Sequence, residues 1–415
     1  MISKRKVALG AATLVLVTSV STFMISNAIQ IPIKDKLIVS RKEYEALVDV
    51  YEKQSKAVAL EEFIEENYIE KIDEKKLEDG QLKGMFEAIK DPYSVYMNKE
   101  EFKSFMEHTE GTFGGIGIVV KLGEDNLLTI EKTIEGGPSE KAGLKRGDKI
   151  VKVNEKEYKP SDYSNPMIMR EEIVKAMRGE PGTTVKVTIL RLDENKKEQY
   201  IEKEIKREKI RMNTVESQVL EDNIGYINIS SFDEITADDF KKEIKKLKKQ
   251  GIEGLVIDLR YNPGGILEIC AEIADELMGE GTIVYTETRD KERKYIKSDS
   301  KKLGLPLAIV VNEESASASE ILAAAIQDTK EGTIVGTKTF GKGIVQTVKP
   351  LSDGTGIKLT VSQYFTPNGR SIHKKGVEPD IVVKLPEDIE QIGPENLKED
   401  TQLKKALEVV KSKIK

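Results

Sequence analysis

The sequence has few of the residues that build disulfides and metal sites. It contains one cysteine, Cys270, and two histidines, His108 and His373, among 415 residues. A single cysteine excludes a disulfide within the chain, and this set cannot form a cysteine/histidine zinc cluster. Cys270 lies in an apolar run of helical spacing, so we interpret it as core packing. We predict a protein without a metal or another cofactor.

The sequence also lacks a strong charge of either sign. Its formal net charge is −6, from 66 Lys and Arg against 72 Asp and Glu, which argues against nucleic acid as the main partner. Hydrophobic residues make up 38% of the chain, which suits a soluble protein with a packed core. The length predicts about three domains.

The N-terminus departs from this soluble composition. Lys4, Arg5 and Lys6 precede an apolar segment, residues 7–25, that is long enough to span a bilayer. The basic flank is expected to stay inside, which would place the rest of the chain outside the cytoplasm. Small residues at 26–28 keep a cleaved signal peptide open as the alternative. We favour an uncleaved membrane anchor within residues 1–30.

Residues 31–110 are predicted to be helical. Ser40 and Glu43 have the spacing of a capping box, and apolar residues then recur at helical intervals. They fall into two predicted helices, the first with Tyr44, Leu47, Val48 and Tyr51 and the second with Leu60, Phe63, Ile64 and Tyr68. These stripes either pack within their own module or pair with a second subunit, so a homodimer through the N-terminal helices is one of two open interpretations.

One stretch combines a serine-rich turn with a lysine. Residues 307–311 read as a buried strand, residues 315–319 as a small-residue turn, and residues 321–327 as a helix. Such a junction holds a side chain at the edge of a sheet, with helix amides directed at the group it attacks. After a second strand, Lys342 lies between two glycines. A hydroxyl and an amine are therefore expected at neighbouring sheet edges.

Two other interpretations compete for this stretch. Ser317 and Glu320 also fit a helix capping box. Residues 336–342 spell G-x-x-x-x-G-K, the start of a phosphate-binding loop. That loop requires Ser or Thr next and then a helix, whereas Gly343 follows and residues 344–348 read as a strand. We therefore disfavour nucleotide binding.

Proton chemistry connects the serine and the lysine. Serine is a poor nucleophile unless a base takes its proton, and lysine can be that base once its amine is neutral. An ordinary lysine pKa is about 10.4, and burial lowers it by up to about 3 to 5 units. Phe340 and Ile344 beside Lys342 offer apolar walls. If a strand begins at Lys342, Gln346 shares its face and can orient the amine.

The segments SASASEI and FGKGIVQ resemble those of the carboxyl-terminal processing proteases of family S41, serine peptidases that use a Ser/Lys dyad. The resemblance implies Ser317 as nucleophile, Lys342 as general base and Gln346 as its support. Spacing alone does not choose among Ser315, Ser317 and Ser319. One departure is Glu314, where the family more often has a glycine, and it puts the local turn geometry in doubt.

The resemblance extends to a second glycine loop. A buried strand at residues 255–259 leads into R-Y-N-P-G-G, which is similar to the R-x-N-x-G-G segment of the family. The family pattern implies Gly264, with Gly265 as a near alternative, as one amide donor of an oxyanion hole and Ala318 as the other. His373 suggests a Ser-His triad instead, which we disfavour because Lys342 already supplies the base.

Residues 111–192 resemble a PDZ domain. Gly115, Ile116, Gly117 and Ile118 form a glycine loop entering an edge strand, where loop amides can hold a substrate's terminal carboxylate. Residues 173–178 are the predicted groove helix. Arg178 at its end is a candidate contact that couples this domain to the protease, although a simple helix-end charge is the competing interpretation.

Together these features predict a mixed α/β (α+β) multidomain protein. Its predicted parts are a signal anchor or signal peptide (1–30), a helical region (31–110), a PDZ domain (111–192), a crotonase/ClpP-like S41 protease core (205–385) and a helical tail (386–415). The resemblance implies ATP-independent cleavage of proteins that present a free C-terminus, and the predicted N-terminal segment would place this activity outside the cytoplasm. The alternative is a membrane-tethered PDZ binding protein whose hydrolase domain is inactive.

Overall fold

The structure is a computed structural model that describes residues 11–19, 32–33, 36–37, 39–193, 195, 197–389 and 391–414. Its chain divides into two compact units, Met1–Gly84 and Met85–Lys415. Residues 11–19 form helix α1, and Pro32–Ile33 (β1) pairs antiparallel with Lys36–Leu37 (β2). Helices Arg41–Asn67 (α2) and Glu74–Glu87 (α3) follow.

Helix α2 corrects one prediction and confirms another. Ser40 caps it and Glu43 completes the capping box, as expected. The two predicted helices are one continuous helix of 27 residues, because residues 41–67 contain no glycine or proline to interrupt it. No helix among the described residues is long and apolar enough to cross a membrane. The predicted anchor at 1–30 falls mostly on residues 1–10 and 20–30, outside the described part.

The second unit opens with Val95–Met97 (β3), Lys99–Thr109 (α4) and Thr112–Gly115 (β4), which lead into the predicted PDZ region. The strands of that region are Ile118–Leu122 (β5), Leu128–Thr133 (β6), Lys149–Val153 (β7), Lys156–Glu157 (β8), Thr184–Leu192 (β9) and Glu198–Lys206 (β10). They form a sheet in the order β10-β9-β7-β6-β5, with β8 on β7. Helices Pro138–Lys141 (α5) and Pro166–Met177 (α6) complete it.

This region differs from the prediction at two places. The groove helix α6 begins at Pro166 rather than at 173, because Asn165 caps it by accepting the Met167 amide. The sheet continues past residue 192, since β10 pairs with the whole of β9 as a hairpin. One face of β10 is exposed and carries charged side chains. The apolar pattern that marks a buried strand is therefore weak in this segment.

The remaining chain builds a mainly parallel sheet in the order β12-β13-β14-β17-β18-β21. Its strands are Val215–Leu220 (β12), Ile224–Ile229 (β13), Gly254–Asp258 (β14), Leu307–Val311 (β17), Thr333–Gly336 (β18) and Ile381–Val382 (β21). Only β12 runs antiparallel to its neighbour. The central strands β14 and β17 are buried along their whole length, which explains their unbroken apolar sequences.

Helices cover both faces of this sheet. The core on one face includes residues of Thr236–Lys249 (α7), Leu267–Leu277 (α8) and Ala318–Thr329 (α9), and the core on the other includes residues of Thr401–Lys411 (α10). A second sheet, ordered β16-β15-β20-β19 with β3 on β20, contains Gly281–Thr288 (β15), Arg293–Ser298 (β16), Ile344–Pro350 (β19) and Gly356–Phe365 (β20). Glu208–Arg211 (β11) pairs with β4.

The parallel strands fix where a site can form. The carboxyl ends of neighbouring parallel strands meet at one edge of a sheet, where loops and helix N-termini converge. Strands β14, β17 and β18 are such neighbours. The segments that follow them carry the glycine loop, the serine-rich turn and Lys342.

Candidate active site

Ser317 lies at the junction of the β17 loop and helix α9. Its backbone has φ 53° and ψ −112°, a conformation that is costly for a residue with a Cβ and that must be held by its surroundings. The other serines of the turn are occupied: buried Ser315 donates to the Leu259 carbonyl (2.8 Å) and buried Ser319 to the Asn262 carbonyl (3.0 Å). Ser317 is half-buried and faces the adjoining cavity.

A cavity of about 480 Å³ brings the predicted protease residues together. Its lining includes Ser317, Ala318, Gly264, Gly265, Lys342 and Gln346. Apolar side chains, among them Phe232, Ile321 and Ile344, form much of the remaining wall. These residues come from four separate segments of the chain, so only the fold assembles them.

The glycine loop packs directly on the nucleophile turn. A Cβ added to Gly264 would lie 2.8 Å from the Ser317 Cβ and 3.0 Å from the Ala318 nitrogen, so glycine is required there. The Gly264 amide, however, already donates to Asn262 Oδ1 (2.8 Å). Within the described chain the amides of Gly265 and Ala318 have no acceptor. These two, rather than Gly264 and Ala318, offer unoccupied donors.

Lys342 lies in the loop between β18 and β19, where its amine is partly buried. Burial lowers the pKa of Lys342, and the positive charge of Lys358 lowers it further. Asp91 and Glu320 act in the opposite direction but do not cancel the shift. The environment therefore favours a neutral amine more than water does.

The lysine amine points at an aromatic ring. Lys342 Nζ lies 4.8 Å from the ring centroid of Tyr93. Over the described residues, no hydrogen bond joins Lys342 Nζ to Ser317 Oγ or to Gln346. The Gln346 amide donates instead, over long distances, to the Ile344 carbonyl (3.5 Å) and Thr360 Oγ1 (3.4 Å). Lys342 precedes β19, and a bulge interrupts the pairing at Gln346, so simple strand alternation from Lys342 does not hold.

The Glu320 side chain connects the loop of Ser317 with the loop of Lys342. The sequence showed only that Glu320 has the position of a helix cap. Its buried carboxylate accepts the Ser317 amide (2.9 Å) and the Lys342 amide (2.8 Å) on one oxygen, Oε2. The other oxygen accepts the Gly341 amide (2.7 Å) and the Thr339 hydroxyl (2.5 Å). Burial raises the pKa of Glu320 above its usual value, but four donors suit the ionised carboxylate.

Tyr364 is a second residue that sequence reasoning missed. Its hydroxyl lies within hydrogen-bond distance of the Ser317 carbonyl (3.1 Å) and of the Lys342 carbonyl. The side chain is buried, which raises the pKa of its phenol well above the usual value. The neutral hydroxyl has one hydrogen, which it can donate to either carbonyl. It therefore contacts the same two backbones whose amides Glu320 accepts.

The predicted peptide-binding loop lines a separate cavity of about 240 Å³. Gly115, Ile116, Gly117 and Ile118 form one wall, and Val174, Met177, Arg170 and Arg178 belong to α6 and its end. The Arg178 guanidinium lies 4.5 Å from the ring centroid of Phe113, on β4. Arg178 therefore contacts β4 at the wall of this cavity. In the described chain we find no contact between Arg178 and the protease core, where one was predicted.

The other residues and motifs considered in the sequence have no place in the Ser317–Lys342 site. Cys270 is buried in α8 with its thiol near the Ala318 carbonyl (3.1 Å), and burial raises its pKa. His373 does not line the cavity that contains Ser317. Lys342 is followed by strand β19 rather than by a helix, as expected if the segment is not a phosphate-binding loop. No group of metal-ligating side chains occurs among the described residues.

Comparisons with known proteins find similarity along most of the chain. Family models match residues 15–101 (activating protease CtpB N-terminal domain), 105–190 (PDZ domain) and 223–383 (peptidase family S41). The carboxy-terminal processing protease CtpB of Bacillus subtilis strain 168 is 39% identical over 343 residues, covering 81% of this chain and 69% of the relative. CtpA of the same strain is 39% identical over 328 residues, covering 79% and 68%. A Bacteroides fragilis structure described as an S41 protease has a TM-score of 0.53 at 15% identity, covering 83% of this chain and 91% of its own, a likeness of fold.

Proposed function

This chain belongs to the carboxy-terminal processing serine proteases of peptidase family S41, and from that premise we propose that it cleaves proteins without ATP by means of a Ser317/Lys342 dyad. The observation that carries the proposal is the shared acceptor of the two residues. One oxygen of Glu320 accepts both their backbone amides, at 2.9 and 2.8 Å, so the backbones of the nucleophile and the base are tied to the same buried carboxylate.

The proposed reaction begins with a neutral Lys342. Its side chain swings from Tyr93 to Ser317, takes the hydroxyl proton, and the Ser317 oxygen bonds to the carbonyl carbon of the substrate. The negative oxygen that forms accepts from the amides of Ala318 and Gly265, with Gly264 as the alternative donor. Such a donor typically contributes about 3 to 4 kcal/mol of transition-state stabilisation.

The Lys342 ammonium then gives its proton to the leaving amine, which leaves an acyl group on Ser317. Water attacks this ester after Lys342 takes one of its protons, and the new carboxylate departs as Ser317 regains its hydrogen. Gln346 reaches the same cavity and is proposed to orient the amine during these steps. Its long hydrogen bonds, 3.4 and 3.5 Å, are weak enough to exchange for one to the lysine.

We propose that the groove of the PDZ domain selects the substrate. The amides of the loop formed by Gly115, Ile116, Gly117 and Ile118 would hold a free terminal carboxylate, and the apolar wall of α6 would favour apolar last residues. Arg178, stacked on Phe113, is proposed to pass occupancy of the groove to β4 and from there to the protease.

The location and assembly of the enzyme are also proposals. An anchor within residues 1–30 would keep the catalytic unit at the outer side of the membrane, with secretion after signal cleavage as the alternative. The apolar residues Tyr44, Leu47 and Tyr51 of α2 are exposed and lie at helical spacing, so they offer a stripe for a homodimer. Fractionation with N-terminal sequencing tests the first proposal, and sedimentation of the purified protein tests the second.

Cleavage of an unfolded protein tests the proposed reaction. We expect Ser317→Ala and Lys342→Ala each to abolish turnover, while the exposed controls Ser352→Ala and Lys349→Ala keep it. Equal activity in all variants would defeat the dyad. Binding of a C-terminal peptide with no turnover by the unsubstituted protein would favour the alternative, a PDZ binding protein. A substrate with an amidated C-terminus is expected to bind more weakly if the loop captures a carboxylate.

A further inference from the structure

The turn at Asp91–Ser94 carries no role in the reaction described so far, yet it reaches the base. The Tyr93 ring lies 4.8 Å from Lys342 Nζ. The turn is also fixed in place: Asp91 accepts the Tyr93 amide (3.1 Å) and the Ser94 hydroxyl (2.6 Å), and Ser94 Oγ accepts the Thr360 amide of β20 (3.0 Å). The backbone that carries the ring is therefore held in place by the hydrogen bonds of Asp91 and Ser94.

An aromatic face distinguishes the two forms of a lysine. Its electron-rich centre attracts an ammonium ion but has little attraction for a neutral amine. The lysine amine makes this contact where no hydrogen bond of the described chain ties it to Ser317. The contact thus favours a charged amine positioned away from the nucleophile, which is the unreactive form.

We propose that Tyr93 is a positioning residue, whose ring holds the protonated Lys342 away from Ser317 and so sets the pH at which the base becomes available. This inference rests on the proposed dyad. The energy of this contact depends on the charge of the lysine, whereas the energy of a simple packing contact does not.

Other charges also act on this amine and must stay constant in a test. They are Lys358 on β20, Asp91 in the same turn and Glu320 on α9, while His373 acts on Asp91. Tyr93 itself contributes a ring rather than a charge. Replacing it with phenylalanine keeps the ring face, and replacing it with leucine keeps an apolar cover while removing that face.

The test is kcat/KM of the full chain on an unfolded protein as a function of pH. Its acidic limb reports the base of the free enzyme. We expect Tyr93→Leu to move this limb to lower pH by about 0.5 to 1 pH unit and Tyr93→Phe to leave it in place. An unchanged limb in Tyr93→Leu, or a limb moved to higher pH, overturns the inference.

A second substitution guards against a folding defect. Pentafluorophenylalanine at position 93 keeps the shape of the ring but removes its negative face, so the limb should move as it does in Tyr93→Leu; no movement overturns the inference. Lys342→Ala separates the two claims. If it keeps full turnover, the dyad fails, whereas an inactive Lys342→Ala with identical limbs in the Tyr93 series leaves the dyad intact and refutes the role of Tyr93.

Discussion

Replacing Glu320 with glutamine removes one acceptor from the connection between nucleophile and base while preserving the shape of the side chain. The carboxylate accepts from Ser317, Thr339, Gly341 and Lys342. Glutamine keeps one carbonyl oxygen, but its amide nitrogen is a donor. It faces either the Ser317 and Lys342 amides or the Gly341 amide and the Thr339 hydroxyl, which can turn to accept. One or two backbone amides therefore lose their acceptor in a buried site.

The expected size of the effect follows from this geometry. Each buried donor left unpaired costs about 1 to 3 kcal/mol, so the substitution favours separation of the two loops by about 1 to 6 kcal/mol. A shift of reacting groups by about 1 Å lowers a rate by about 10²-fold. We therefore expect kcat/KM of Glu320→Gln to fall by about 10²-fold or more.

The assay is steady-state cleavage of an unfolded protein, run at a temperature where circular dichroism shows the variant folded. Glu314→Gln is the matched control, because Glu314 lies exposed on the same turn and its charge is lost without disturbing this network. We expect it to behave as the unsubstituted enzyme. Unchanged kcat/KM in Glu320→Gln would refute the reasoning that this carboxylate aligns Ser317 and Lys342.

Three further predictions concern neighbouring groups. Lys358→Met removes a positive charge that lowers the pKa of Lys342, so the acidic limb of the kcat/KM profile should move to higher pH; a shift to lower pH contradicts this. Asp400→Asn removes one of the two carboxylates that pair with buried Arg260 (2.7 Å), which keeps Asp258 (2.6 Å), and should lower the free energy of unfolding by about 1 to 3 kcal/mol, measured by urea denaturation; unchanged stability contradicts it. Tyr364→Phe removes the hydroxyl between the two loops, and we expect a loss of kcat/KM by about 10-fold, with a wild-type value as the contrary outcome.

Local patterns predicted the parts of the site that neighbouring residues determine. The strand, turn and helix around Ser317 follow from an apolar run, small residues and a capping sequence, and the structure has β17, the turn and α9 there. Lys342 between two glycines also lies in a loop between strands, as expected. A Cβ on Gly343 would lie 2.5 Å from the backbone nitrogen of His373, which explains why a glycine is needed there. This contact could not be predicted from the sequence.

The rest depended on contacts between distant segments. Spacing left three serines open, and only the bonds of Ser315 and Ser319 to the glycine-loop region separate them from Ser317. Glu320 could be read as a helix cap but not as the acceptor of residues some twenty positions later. The same limit applies to Tyr93, since an aromatic residue far upstream in the sequence gives no sign that it will meet Lys342.

The most direct measurement of the central claim is the nucleophilic reactivity of Ser317 itself. A fluorophosphonate forms a stable adduct with an activated serine, and intact-protein mass spectrometry follows its rate. General-base catalysis contributes about 10² to 10⁴-fold, so we expect Lys342→Met to slow labelling by at least about 10²-fold and Ser317→Ala to abolish it. Labelling of Lys342→Met at the unsubstituted rate would contradict the account, because Ser317 would then be activated without this lysine.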